Sequence, residues 1–182
     1  GRGERVAARG VAKRYAQATF DIARESGTEQ QWLGDLTTLA NAASDPSVGG
    51  YFTSPNVAEQ AKLGAIGQIL PGQDQQLARN LASMLVQRRR FDILPEMLEV
   101  YRDLLLQAQG IAIAEVTTAV ELTPAEQQAV QAQLSKAVGR EIEMRLRVDP
   151  SMVGGLVARI GDWLIDGSVE SQLRNLRASL VR

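Results

Sequence analysis

Three places in this sequence gather residues of the types that do chemistry. The first is GGLVARIGDWLIDGSV, Gly154 to Val169, where glycines and two Gly/Asp pairs stand close together. Glycine-rich loops hold phosphates when their N–H groups converge at the start of a helix. A Walker-type loop closes with Lys-Ser/Thr, the Lys reaching the phosphates and the hydroxyl holding Mg²⁺. Here Gly161 is followed by Asp162 and Gly167 by Ser168, and no Lys occurs after Lys136. A dinucleotide loop needs its glycines between a strand and a helix. Gly154, Gly155 and Gly161 stand instead before and within the apolar run Leu156 to Ile165, and Asp162 and Asp166 would repel phosphate. The glycines are therefore expected to shape backbone. Gly154-Gly155 would turn the chain after Pro150, and Gly161-Asp162 would bend one long strand.

The second place is Gln87-Arg88-Arg89-Arg90-Phe91, to which Arg2, Arg5, Arg9, Lys13 and Arg14 could add. A nucleic-acid surface wants a wider basic patch with aromatics between the charges. Acids are interspersed here and aromatics make up only 4% of the chain. Three arginines at a helix C-terminus also complement its dipole. The third place is a choice of carboxylate pairs, Asp162 with Asp166 or Glu141 with Glu143. Both fall on expected strand or turn positions where charges face water, a poor setting for a general acid/base pair. The chain has no His and no Cys. It thus lacks the usual acid/base group near neutral pH, the commonest transition-metal ligands and any thiolate nucleophile. The composition leaves room for oxygen-ligated Mg²⁺ or Ca²⁺, but no catalytic, cofactor or metal site is assigned.

What must position these residues is a chain of 182 residues, 45% apolar, with a net charge of -1. It can bury a core, and it has no global field to steer it onto nucleic acid or acidic lipid. No window approaches the roughly 18 consecutive apolar residues of a membrane span. The basic N-terminus GRGERVAARGVAKRY lacks the apolar stretch of a secretory signal and the Ser of a transit peptide. A soluble, cytoplasmic protein is expected.

Up to about Gly110 the apolar spacing is helical. Val11, Tyr15, Ala18 and Ile22 fall at three- and four-residue steps, and Trp32, Leu33, Leu36, Leu39 and Ala40 continue after Gly27, with Thr28 as the expected N-cap. Asp45-Pro46 and Ser54-Pro55 break the chain around a short segment with Tyr51 and Phe52. Helices are expected over Ala58 to Leu70, Asp74 to Arg88 and Asp92 to Gln109. Five or six such helices with short links make a bundle. Beyond Gly110 the period changes. Ile111 to Val120 reads as a strand, and Thr123-Pro124-Ala125-Glu126 is a capping box opening a helix that Gly139 ends. Ile142, Met144, Leu146 and Val148 alternate with charges as a half-buried strand. After the glycine run, Ser168 would cap a last helix with Val169, Leu173, Leu176 and Leu180 on one face. The order is β-α-β-β-α, with a domain boundary near residues 106–112. The first helix carries Ala7, Ala8, Ala12, Ala16, Ala18 and Ala23, small side chains that let another backbone approach, within the bundle or from a partner helix. Without catalytic residues, this favours an interaction protein.

Four segments, in order, resemble the delta-subunit family of F-type ATP synthase, whose mitochondrial relative is the oligomycin-sensitivity-conferring protein. Arg14-Tyr15-Ala16-Gln17-Ala18-Thr19-Phe20 is similar to the family's first-helix motif, with Thr19 where many members carry a large apolar residue. Arg89-Arg90-Phe91-Asp92-Ile93-Leu94-Pro95-Glu96 resembles the entry to its last N-terminal helix. Ala114 to Ala119 followed by Leu122-Thr123 resembles its first strand, and Gly154 to Val169 its closing signature. From about Thr28 to Leu70 only the pattern matches.

The resemblance implies a non-catalytic stator subunit at the cytoplasmic face of the cell inner membrane, touching the membrane only through the complex. It implies an all-α six-helix bundle, residues 1–107, that receives alpha-subunit N-terminal helices on the catalytic head. One of these would lie in a groove between the first and fifth helices, here about Val6–Glu25 and Asp74–Arg88. A small α+β domain, residues 111–182, would hold the b-type subunits of the peripheral stalk, so that the chain resists rotor torque during proton-driven ATP synthesis. Val11, Tyr15, Leu77, Leu81 and Leu85 are the expected apolar contacts of that groove. Two other readings stay open: a free-standing helical adaptor with another partner, and a nucleic-acid-binding module using the arginines, which a steep loss of affinity with salt would mark.

Overall fold

The computed structural model describes residues 2–152 and 154–167. The chain divides into two compact units, the first ending at Leu105 and the second beginning at Leu106, and each has its own core.

The first unit is helical: α1 (Arg2–Ser26), α2 (Glu29–Ser44), α3 (Pro46–Thr53), α4 (Glu59–Ile69), α5 (Gln76–Gln87) and α6 (Leu94–Ala108). Short 3-10 turns, Gln73–Gln75 and Phe91–Ile93, lead into α5 and α6, so α5 begins at Gln76 rather than Asp74. Gly27, at φ 67, stops α1, and its successor Thr28 closes the turn by donating its N–H to the Ala23 carbonyl at 2.9 Å. Thr28 stands at the N-cap position of α2 but makes no side-chain cap; its hydroxyl pairs with Ser26 Oγ at 2.8 Å instead. The segment around Tyr51 and Phe52 is itself a helix. Asp45 caps it by accepting from the Ser47 and Val48 N–H groups at 2.8 and 3.0 Å, and Pro46 occupies the first turn, where no N–H is needed.

The core of this unit is built from one side of each helix. Ala12, Ala16, Phe20 and Ala23 of α1 are buried with Leu36 and Leu39 of α2, Leu85 of α5, and Leu94, Met97 and Tyr101 of α6. Each buried leucine contributes about 1.5–3 kcal/mol. Phe52 stacks on Phe91 with ring centres 4.2 Å apart. Polar groups fix how the elements meet. Buried Asp35 accepts from Gln75 Nε2 at 2.7 Å, while Gln75 Oε1 accepts from the Gly72 N–H at 2.8 Å, which ties α2 to the turn before α5. Arg79 donates to the Leu70 carbonyl, left without a helical partner where α4 ends, and to the Gly72 carbonyl, which also accepts from the Gln75 N–H.

The second unit runs β1 (Ile111–Thr118), α7 (Pro124–Val138), β2 (Glu141–Val148), β3 (Leu156–Ile160) and β4 (Trp163–Gly167), in one sheet of order β2-β1-β3-β4. α7 carries the chain across between parallel β1 and β2. Its start is the expected capping box: Glu126 N–H donates to Thr123 Oγ1 and the Thr123 N–H to Glu126 Oε2, and Gly139 at φ 71 ends it. Alternation places Ala112, Ala114 and Val116 of β1, Ile142 of β2 and Leu156, Ala158 and Ile160 of β3 in a buried cluster with Leu134 of α7.

The run after Gly155 is not one bent strand. Gly161, at φ 57, and Asp162 form a two-residue turn that sets Trp163 opposite Ile160, so β3 and β4 make an antiparallel hairpin. A left-handed glycine gives such a loop the twist of its flanking strands. Among the described residues the unit is therefore β-α-β-β-β. The expected last helix, capped by Ser168, lies outside the described residues.

Candidate docking surfaces

α1 places two neighbouring stripes on the first unit. Ala12, Ala16, Phe20 and Ala23 face the core; beside them Val11, Tyr15, Ala18 and Ile22, spaced four, three and four, run from the core outward. Val11 is buried, Tyr15 is half-buried against the core, Ala18 is exposed and Ile22 is 49% exposed. On α5, Leu77 is 57% exposed, Leu81 is buried, Met84 is half-buried and Leu85 is fully buried. Of the five residues named from sequence, Val11, Leu81 and Leu85 thus belong to the core, Tyr15 lies at its border, and Leu77 is open to solvent. Ile22 and Met84 extend the same apolar borders and were not named. The steps Tyr15-Ala18-Ile22 and Leu77-Leu81-Met84 carry that signal in the sequence.

The three candidate chemical places resolve into backbone and surface. Arg88, Arg89 and Arg90 are exposed at the end of α5, and Arg89 takes φ 56. Its N–H donates to the Val86 carbonyl and that of Arg90 to the Leu85 carbonyl, the paired bonds of a Schellman stop whose left-handed position glycine usually fills. Glu141 and Glu143 are both exposed on one face of β2, and Asp162 is exposed in the β3–β4 turn. Gly154, Gly155 and Gly161 all take positive φ at the ends of strands. Among the described residues no group of three or more acids could hold a metal ion, and no helix is long and apolar enough to cross a membrane.

Among the described residues, Tyr101 and Asp149 are clearly shifted. Burial, and then the Glu29 carboxylate, push the Tyr101 phenol up to about 12. Its hydroxyl donates to the Glu29 carbonyl at 2.8 Å and its ring meets Phe20 edge-on at 5.7 Å. The Ser151 hydroxyl, followed by the Ser151 N–H, holds the exposed Asp149 carboxyl below its ordinary value. Both bonds shape the turn that ends β2.

The second unit has one described hollow, about 500 Å³, between α7 and β2. Pro124, Gln127, Gln128 and Gln131 line one side and Ile142, Glu143, Met144 and Leu146 the other. Leu146 and Val148 of β2 are 42% and 46% exposed, and Trp163 and Leu164 of β4 are more exposed still. Exposed apolar side chains grouped on regular elements mark surfaces made for other chains.

By fold and surface this is a two-unit protein, helical then α+β, whose open apolar faces suit a subunit that docks to others. The family described as ATP synthase delta (OSCP) subunit matches residues 11–180. An ATP synthase subunit delta of Thioalkalivibrio sulfidiphilus is 31% identical over 172 residues, covering 94% of this chain and 97% of that one. Its counterpart in Dehalococcoides mccartyi is 38% identical over 166 residues, covering 90% and 89%. Among solved structures, a chain of the Toxoplasma gondii mitochondrial ATP synthase hexamer is similar at a TM-score of 0.59 and 26% identity, covering 94% of this chain and 97% of that one. The chain belongs to the ATP synthase delta (OSCP) subunit family.

Proposed function

We propose that this chain is the stator link of an F-type ATP synthase, joining the catalytic head to the peripheral stalk and bearing rotor torque without catalysing a reaction. As a family member it is a peripheral-stalk component whose partners are other ATP synthase subunits. The helical unit, residues 1–107, is a six-helix bundle that takes alpha-subunit N-terminal helices. The α+β unit, residues 111–182, takes the b-type stalk subunits. The whole sits peripherally at the cytoplasmic face of the energy-transducing membrane.

The observation that carries this reading is that a single family match runs through both units, from residue 11 to residue 180. A part that transmits force needs two docking surfaces and rigid packing rather than titrating groups. Contact at both ends raises effective concentration, so each interface can be modest alone. In the helical unit the apolar borders of α1 and α5, with Tyr15 and Leu77 at the solvent side, form the surface for an amphipathic helix.

Titration calorimetry with a synthetic alpha-subunit N-terminal peptide, at two salt concentrations, tests the head contact. Micromolar or tighter binding, nearly independent of salt and with a negative heat-capacity change, supports an apolar docking surface. A folded protein that gives no heat, or that binds with a steep salt dependence, contradicts it.

A further inference from the structure

β2 is an edge strand. The sheet order pairs it with β1 on one side, and among the described residues no strand lies on the other. An edge strand of eight residues offers a row of backbone donors and acceptors to any chain that can match it. α7 covers only the start of β2, where Gln131 donates to the Ile142 carbonyl at 2.7 Å; further along, a hollow of about 500 Å³ lies between Gln127 and Gln128 of α7 and Met144 and Leu146 of β2.

Edges guarded by lysines repel a second copy of themselves. This edge is patterned differently. β2 reads Glu141-Ile142-Glu143-Met144-Arg145-Leu146-Arg147-Val148, acidic in its first half and basic in its second, with apolar residues between. Turned end for end about Met144, the strand is its own complement. Glu141 falls opposite Arg147, Glu143 opposite Arg145, and Ile142 opposite Leu146. Directly opposed residues share a face, so every acid meets a base and apolar meets apolar. A parallel, in-register pairing would instead set Glu beside Glu and Arg beside Arg.

We propose that the outer edge of β2 is a self-association site, at which two copies of this chain pair their β2 strands antiparallel about a two-fold axis at Met144. The outermost pair, Glu141 with Arg147, is exposed on both sides. Arg145 already has an interaction within its own chain, so the outer pair carries the selectivity. Leu146, 42% exposed, stands opposite the copy's Ile142, whose side chain is already buried in its own core, so backbone bonds and the charge pairs hold the two strands together. The arrangement is closed: each chain uses its β2 edge once, and the dimer presents no further copy of it. One strand edge is small beside interfaces of about 1,200–2,000 Å², so the association is a weak one, seen at high protein concentration.

Sedimentation equilibrium of the full chain, from about 5 to 500 μM at low salt, reads this directly. The expected result is a reversible monomer–dimer equilibrium. Arg147→Glu and Glu141→Arg each weaken it about tenfold, since two symmetry-related pairs turn from attraction to repulsion. The double exchange, Glu141→Arg with Arg147→Glu, restores it. Circular dichroism of each variant establishes that the second unit is folded. A chain that stays monomeric throughout, a dimer indifferent to both single changes, or a double variant no better than the singles would each overturn the proposal.

Discussion

Replacing Tyr101 by Phe should remove both a hydrogen bond and a source of alkaline instability from the helical unit. Tyr101 is fully buried in α6, and its hydroxyl donates to the Glu29 carbonyl at 2.8 Å at the start of α2. At neutral pH the loss is about 1 kcal/mol, the net worth of one such bond, because the ring and its contact with Phe20 remain. The larger signature lies in pH. The phenol ionises at about 12 in the folded chain and at about 10 unfolded. A group raised on folding contributes stability that is fully present below the unfolded value and lost as pH climbs towards the folded one. Between about pH 9 and pH 11 the unfolded chain gives up a proton that the folded chain keeps, which lowers stability by about 1.3 kcal/mol. Urea unfolding of both proteins across this range isolates the effect, since all other titrations are common to the two. The wild-type chain should lose that amount more than Tyr101→Phe. Parallel decline of the two proteins would refute the reasoning, and would mean that Tyr101 is not held in the interior as described.

Other substitutions separate core from surface. Leu85→Ala should destabilise the helical unit by about 3 kcal/mol by opening a cavity, whereas Leu77→Ala should stay within about 0.5 kcal/mol in urea unfolding yet weaken the alpha-peptide titration. Tyr15→Asp should abolish that titration in a chain that circular dichroism shows to be folded. Gly49→Ala should lower stability by about 1–3 kcal/mol in the same unfolding assay, because the added methyl runs into the Ala43 carbonyl where α3 meets α2. Arg89→Gly should raise stability by about 1 kcal/mol, since Arg89 carries φ 56 at the end of α5; an unchanged or lower urea midpoint would contradict this.

Much of the fold was legible because its signals are local. Thr123 and Glu126 announce the start of α7 by spacing alone, and Ile142, Met144 and Leu146 alternate with charges as a half-buried strand does. Where the outcome depends on a neighbour, the residues were silent. The run Leu156 to Ile165 is apolar on both sides of Gly161-Asp162, so nothing in it says whether the chain bends or reverses; the reversal is decided by the pairing of Trp163 with Ile160. α3 was hidden because the prolines that bound it are read as breaks, although Pro46 behind a capping Asp45 is a helix start. The candidate site shows the same limit. Val11, Leu81 and Leu85 have the spacing of contact residues, and so has Leu77, but burial is set by the helices that pack over them. Spacing places residues on a face; which face is core is a property of the assembled bundle.

The central claim is that one chain holds two partners at once, one on each unit. Sedimentation velocity of the full chain with a labelled alpha-subunit N-terminal peptide and a differently labelled soluble segment of a b-type stalk subunit tests it most directly. The account predicts a ternary species carrying both labels, with each partner bound as well in the presence of the other as alone. Competition between the two labels for one site, or a stalk segment that never co-sediments with the folded chain, would contradict it.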